Sequence, residues 1–141
     1  QTSTTQSFDI VVSAGGHSGY AAWAGMNGVV GSMLDDDGDG RVNLYEYALN
    51  GIPTNAGNAG VTPTFVSTGD AFQYRHLQRN DDANLTYAVE RTTNLVSGDW
   101  GTDGITILGT NDIGGAYDEV SHEISAGSSS LYIRLNISSP E

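Results

Sequence analysis

The chain has 141 residues, with seventeen acidic side chains against five basic ones and a formal net charge of −12. Such a surface repels nucleic-acid phosphates and anionic membranes, so neither is expected as a partner. The absence of cysteine excludes disulfides, thiol catalysis and thiolate metal sites, no apolar run is long enough to insert into a membrane, and the length suits one compact domain or a small domain with an added element.

The first residue is Gln1 rather than Met, and a run of Thr and Ser follows. This start is expected for an exported chain after removal of a signal peptide, and so predicts a secreted, extracellular or cell-surface protein. Residues 7–13 read as a short strand, because Phe8, Ile10 and Val12 alternate onto one face. Gly15, Gly16 and Gly19 then interrupt the chain.

A helix is expected over about 19–27, capped by Ser18 and followed by a looser turn. Trp23, Met26, Val30 and Met33 recur at helical spacing and form the expected apolar stripe. Gly25, Gly28 and Gly31 each weaken a helix by about 1 kcal/mol. A second short helix is expected over 43–49, stopped by Asn50-Gly51 with Pro53 just beyond. Residues 54–62 form a Gly/Asn-rich linker.

From Pro63 the hydrophobic period changes to two. Strands are expected at 64–67, 71–78, 85–92, 104–109, 116–124 and 130–137, separated by Gly- and Asp-containing turns. Leu85, Tyr87 and Val89 alternate cleanly, as do Leu131, Ile133, Leu135 and Ile137. The expected fold is therefore mainly β: an antiparallel β-sandwich with a helix–calcium loop–helix element near its N-terminus. The expected organisation is a lead and strand over 1–19, the helix–loop–helix over 20–53, and the sandwich over 63–141.

The most specific motif lies at 35–46, Asp-Asp-Asp-Gly-Asp-Gly-Arg-Val-Asn-Leu-Tyr-Glu. Calcium takes six to eight oxygens, and a twelve-residue loop supplies them from positions 1, 3, 5, 7, 9 and 12. Those positions hold Asp35, Asp37, Asp39, the carbonyl of Arg41, Asn43 and Glu46. Glu46 would bind through both oxygens, and Asn43 directly or through a water. Gly40 falls where the loop turns sharply, and Val42 is the apolar strut. Calcium sensors use paired loops, and this chain has one, so the expected cofactor is a structural Ca2+.

Other residues are less informative. His17, His76 and His122 share no ligand spacing, so zinc is not expected, and His76 is expected on the sheet surface. Asp81, Asp82, Asp99, Asp103, Asp112, Asp118 and Glu119 include no pair that the sequence selects for glycosidase chemistry, and no enzyme activity is expected. Asp112 and Asp118 are candidates for a second calcium site. Trp100 and Tyr132, with Tyr74 and Tyr117, are candidates for stacking on a polysaccharide. Arg134 is expected to pair with Glu90 across the sheet. Asn84-Leu-Thr and Asn136-Ile-Ser fit the N-glycosylation pattern.

The stretch from Tyr20-Ala-Ala-Trp through Asp-Gly-Asp-Gly at 37–40 to Asn43-Leu-Tyr-Glu-Tyr-Ala-Leu-Asn-Gly resembles a C-terminal module of large exported proteins from Verrucomicrobia and related bacteria. The likeness continues through Leu85-Thr-Tyr-Ala-Val-Glu-Arg-Thr-Thr-Asn-Leu and Trp100 to Leu131-Tyr-Ile-Arg-Leu. It implies an extracellular, calcium-clamped β-sandwich appendage without known catalytic residues. A dockerin carries two loops, so the single loop argues against a cohesin partner. The chain lacks the upstream domain and hydrophobic tail of that pattern, which suggests a module acting alone. The expected function is a self-assembling filament subunit that donates its N-terminal strand to the next copy, a head-to-tail homo-oligomer; the other reading of 7–13 is a strand folded back onto its own sheet. A carbohydrate-binding module is the alternative.

Overall fold

The computed structural model describes residues 19–127 and 130–140. Phe8, Ile10 and Val12, with the whole expected strand 7–13, lie outside the described residues, as does Ser18. The elements in order are α1 (Tyr20–Asn27), α2 (Asn43–Ala48), β1 (Thr64–Ser67), β2 (Ala71–Arg79), β3 (Thr86–Thr92), β4 (Ile105–Asp112), β5 (Tyr117–Ser125) and β6 (Tyr132–Ser138). The chain is thus mainly β, with six antiparallel strands in two sheets. One sheet runs β1-β2-β5-β4 and the other is the pair β3-β6. Among the described residues, no helix is long and apolar enough to cross a membrane.

All six expected strands are present; β1 has its expected bounds and the other five shift at one or both ends. The largest shift is in β4, which was expected to stop at Gly109 but continues to Asp112. A register irregularity between Ile107 and Gly109 absorbs Leu108, and pairing with β5 resumes at Gly109 opposite Ser121. A bulge inserts one residue without ending the ladder, which is why a glycine here does not terminate the strand.

One apolar cluster draws on both sheets and both helices. It joins Tyr20 and Ala24 of α1, Leu44, Tyr47 and Ala48 of α2, Tyr74, Leu77 and Ile124 of the larger sheet, and Val89, Leu135 and Ile137 of the smaller. His76 belongs with this interior and not on the surface: it is 4% exposed. It shares strand parity with Phe72 and Tyr74, and its ring stacks on Tyr87 and His122 at centroid distances of 5.7 and 5.2 Å. Gln73 and Arg75 take the opposite face. Burial holds both His76 and His122 below the usual histidine pKa.

The expected stripe on α1 is corrected. Met26, Val30 and Met33 are 80%, 81% and 70% exposed, while Tyr20, Ala24 and Val29 are buried. Gly28 adopts the left-handed conformation (φ 73°) and ends the helix, with Val29 N–H donating to Ala24 O at 3.0 Å. Beyond that cap the helical period no longer applies, so Val30 and Met33 leave the face that Trp23 began. The observed N-cap is Gly19 (φ 89°), without a side-chain cap bond.

α2 is short and almost wholly buried. Helix ends leave carbonyls without intrahelical partners, and here the sheets supply them. Tyr47 O accepts from Tyr117 Oη at 3.0 Å and from Arg79 Nη1 at 3.4 Å. Ala48 O accepts from Tyr87 Oη at 3.0 Å. Gly60 closes the linker over the helix end. A Cβ there would stand 2.7 Å from Leu49 O, and its φ is +85°, so only glycine fits without strain.

Candidate metal centre

Residues 35–46 connect the turn after α1 to α2. The ends of the loop are held together by backbone bonds, Asn43 N–H to Leu34 O at 2.7 Å and Leu44 N–H to Ser32 O at 2.9 Å. Within it, Gly38 and Gly40 turn at φ 76° and 92°. Their N–H groups donate to the two oxygens of Asp35, at 2.8 and 2.9 Å. Asp39 N–H donates to Asp37 Oδ1 at 3.2 Å, and Arg41 N–H to Asp39 Oδ1 at 2.7 Å. Short Asp side chains make such bonds readily. They fix each carboxylate against the loop by one or both oxygens.

The other oxygens are left without donors. Asp37 Oδ2, Asp39 Oδ2, Asn43 Oδ1 and both Oε atoms of Glu46 are buried and have no hydrogen-bond partner. Asp35, Asp37 and Asp39 each offer an oxygen within 4.8 Å of the others. Asn43 is held from behind, its Nδ2 donating to Gly31 O at 2.8 Å and to Asp36 Oδ2. Glu46 is completely buried. Burial first, and then the charges of Asp37, Asp39 and Asp35, push its pKa to about 7 from 4.5, against a lowering by Arg41. The Arg41 guanidinium is tied to Ala59 O at 2.8 Å.

Buried polar oxygens normally find a donor, and clustered carboxylates normally repel. Five unpartnered oxygens on four converging side chains therefore fit a hard, multiply charged cation, and the all-oxygen set suits calcium chemistry. All five residues expected as ligands through their side chains, Asp35, Asp37, Asp39, Asn43 and Glu46, belong to this loop, with Arg41 expected through its carbonyl.

The centre is coupled to the sheets through the two tyrosines beside Glu46. Tyr45 Oη donates to Leu135 O at 3.1 Å and accepts from Ile137 N at 3.4 Å. Tyr47 Oη donates to Asp82 Oδ2 at 2.9 Å, and its ring lies 4.1 Å from the Arg79 guanidinium. The sequence reading missed Asp36, Tyr45, Tyr47 and Arg79. Their one available signal was chemical: polar side chains adjacent to a loop motif and parity positions on β2.

The remaining candidates are dispersed. Arg134 does pair with Glu90, Nε to Oε2 at 2.7 Å, as its register position predicts. Its guanidinium also lies 4.2 Å from the Trp100 ring, covering one face of that indole. Tyr132 is exposed, Tyr74 is buried, and Tyr117 is committed to the carbonyl of Tyr47. No common stacking platform joins these four among the described residues. Asp112 and Asp118 are cross-strand partners, but they accept from Gly114 N and Asn80 Nδ2 respectively. Asp81 pairs with Arg79 at 2.7 Å. A polar cleft of about 580 Å3 opens beside the Trp100 loop, lined by Arg91, Thr92, Asn94, Ser97, Asp99 and Asp103 among others. Comparison with family models, curated proteins and solved structures finds no match for this chain.

Proposed function

We propose that the chain is a secreted, calcium-binding structural protein without catalytic activity, and that its copies join head to tail into an extracellular filament by donating residues 7–13. In this reading the two sheets pack as a β-sandwich over their common core, and the helix–loop–helix element is clamped onto one end. The observation that carries the calcium-binding part is the set of donor-less buried oxygens on Asp37, Asp39, Asn43 and Glu46. A calcium ion there would tie the loop to α2, and α2 is tied to the smaller sheet by the Tyr45 hydroxyl and to the larger one by the Tyr47 carbonyl, which accepts from Tyr117 and Arg79. The ion then stabilises the whole domain by binding the folded state. Calcium is favoured over magnesium, which resists losing its waters and demands stricter geometry. A lone loop of this kind suits the high calcium outside cells. Of the carboxylates weighed for glycosidase chemistry, Asp81 pairs with Arg79 and Asp82 accepts from Tyr47.

The polar cleft beside Trp100 favours a second reading, a carbohydrate-binding module with calcium as support. Negative-stain electron microscopy of the purified chain, with calcium and then with chelator, separates the two. Filaments that fray on chelation support assembly. Monomers under both conditions refute it and leave glycan binding, tested on arrays with Trp100→Ala as control.

A further inference from the structure

A sheet edge exposes a row of backbone N–H and C=O groups, and stable monomers cover or shorten such edges. The two sheets have four edges. β1 has only four residues. The outer edge of β6 is met by the Tyr45 hydroxyl at both Leu135 and Ile137. The outer edge of β3 is met at Arg91 by Gly101, with bonds in both directions at 2.8 and 3.0 Å. β4 is different. It runs eight residues and is exposed from Thr106 to Asp112, and among the described residues it pairs with β5 alone. Ile107 and Leu108 are 65% and 49% exposed. From 105 to 111 it holds no charged residue and no proline; of the devices that blunt an edge, it carries the irregularity between Ile107 and Gly109.

The face of β4 is informative as well. Ile105 stands opposite Ile124, and Ile107 opposite His122. Directly opposed residues share a face, and both Ile124 and His122 are buried. Ile107 therefore points to the core side of its sheet and is still largely exposed. A four-stranded sheet shares its core with a two-stranded one, and its last strand overhangs.

We propose that β4 is the acceptor edge for residues 7–13 of a second copy of this chain. The proposal rests on the strand-donation reading above and names its docking site. Seven donor residues match the eight of β4. Phe8, Ile10 and Val12, on one face of the donor, continue the overhanging surface of Ile105 and Ile107. Charge selects a donated strand over β4-to-β4 pairing of two whole bodies. Each chain carries −12, and bodies in contact lie within the screening length of about 8 Å. The donor segment carries one charge, Asp9.

Ser125 N–H donates to Gly104 O at 3.0 Å, so alternation along β4 turns the Ile107 N–H outward. Ile107→Pro removes that outward donor and leaves the ladder to β5 intact; Ile107→Lys is the second, non-proline test. In the full chain, both raise the protein concentration needed for assembly at least tenfold, with thermal unfolding of the monomer little changed. Because the chain has no cysteine, single-cysteine variants report the contact directly. Chains carrying Ile10→Cys, mixed under oxidant with chains carrying Ile107→Cys, form a mixed disulfide. Chains carrying Ile10→Cys mixed with Val66→Cys on β1 do not. Linkage to position 66, or linkage of 107 to 107 alone, overturns the proposal. Assembly lost on deleting 1–13 but normal with both Ile107 variants keeps strand donation and refutes β4 as acceptor. A wild-type chain that never assembles refutes donation itself, and this site with it.

Discussion

Replacing Glu46 by Gln should change stability in opposite directions with and without calcium. The side chain is fully buried and its pKa stands at about 7, chiefly through burial and then through Asp37, Asp39 and Asp35. A carboxyl raised from 4.5 contributes its full stability below pH 4.5 and loses it as pH rises through 7. At about 1.4 kcal/mol per unit, ionising Glu46 at pH 8 in chelator destabilises the fold by roughly 3 kcal/mol. Gln keeps the shape and removes the charge, at a desolvation cost of about 1–3 kcal/mol for its unpaired amide. In chelator at pH 8 the variant should therefore be as stable as the wild type or more so. In calcium the order reverses. A ligand at a thousand times its Kd adds about 4 kcal/mol, or roughly 10 °C or more in Tm for a chain of this size, and the variant loses most of that gain. Thermal unfolding followed by circular dichroism at pH 8, with calcium and with chelator, measures both. A variant destabilised by more than about 2 kcal/mol in chelator, yet stabilised by calcium as much as the wild type, would refute the reasoning.

Tyr47→Phe leaves Asp82 buried without its hydroxyl donor and should lower the urea-derived stability by about 1–3 kcal/mol. Gly60→Ala, with a Cβ 2.7 Å from Leu49 O, should destabilise by about 2 kcal/mol or more. Gly40→Ala, which meets nothing within 4 Å, should lose only about 1 kcal/mol for its left-handed backbone; equal losses in urea would contradict the packing assigned to Gly60. His76 and His122 are held neutral by burial, so their contribution is complete above about pH 6.5 and is lost as pH falls below it. In saturating calcium the urea midpoint should drop between pH 7.5 and 5.5, and the drop should shrink in His122→Asn.

The β architecture was legible because its strands obey a simple alternation: Leu85-Tyr87-Val89 and Leu131 to Ile137 each present one buried face. The clustering of Asp35, Asp37 and Asp39 was legible because they lie within five consecutive residues of one acidic loop. What escaped was set by contacts distant in sequence. His76 reads as a polar residue on a strand, and its burial follows from Tyr87 and His122, which stack on its ring. The stripe of Met26, Val30 and Met33 fails because Gly28 caps the helix before two of its members. Arg79 reads as an ordinary strand residue, yet it caps α2 and lies against Tyr47 and Tyr117. Arg134 reads as the partner of Glu90 alone, yet its guanidinium also lies over the Trp100 ring. Periodicity carries no information about such long-range partners.

Isothermal titration of the chelator-stripped chain with calcium tests the central claim most directly. One ion per chain is predicted, with the heat abolished when Asp37 and Asp39 are both replaced by Asn. No calcium-dependent heat in the wild type, or binding unchanged in the double variant, would contradict a calcium centre at residues 35–46.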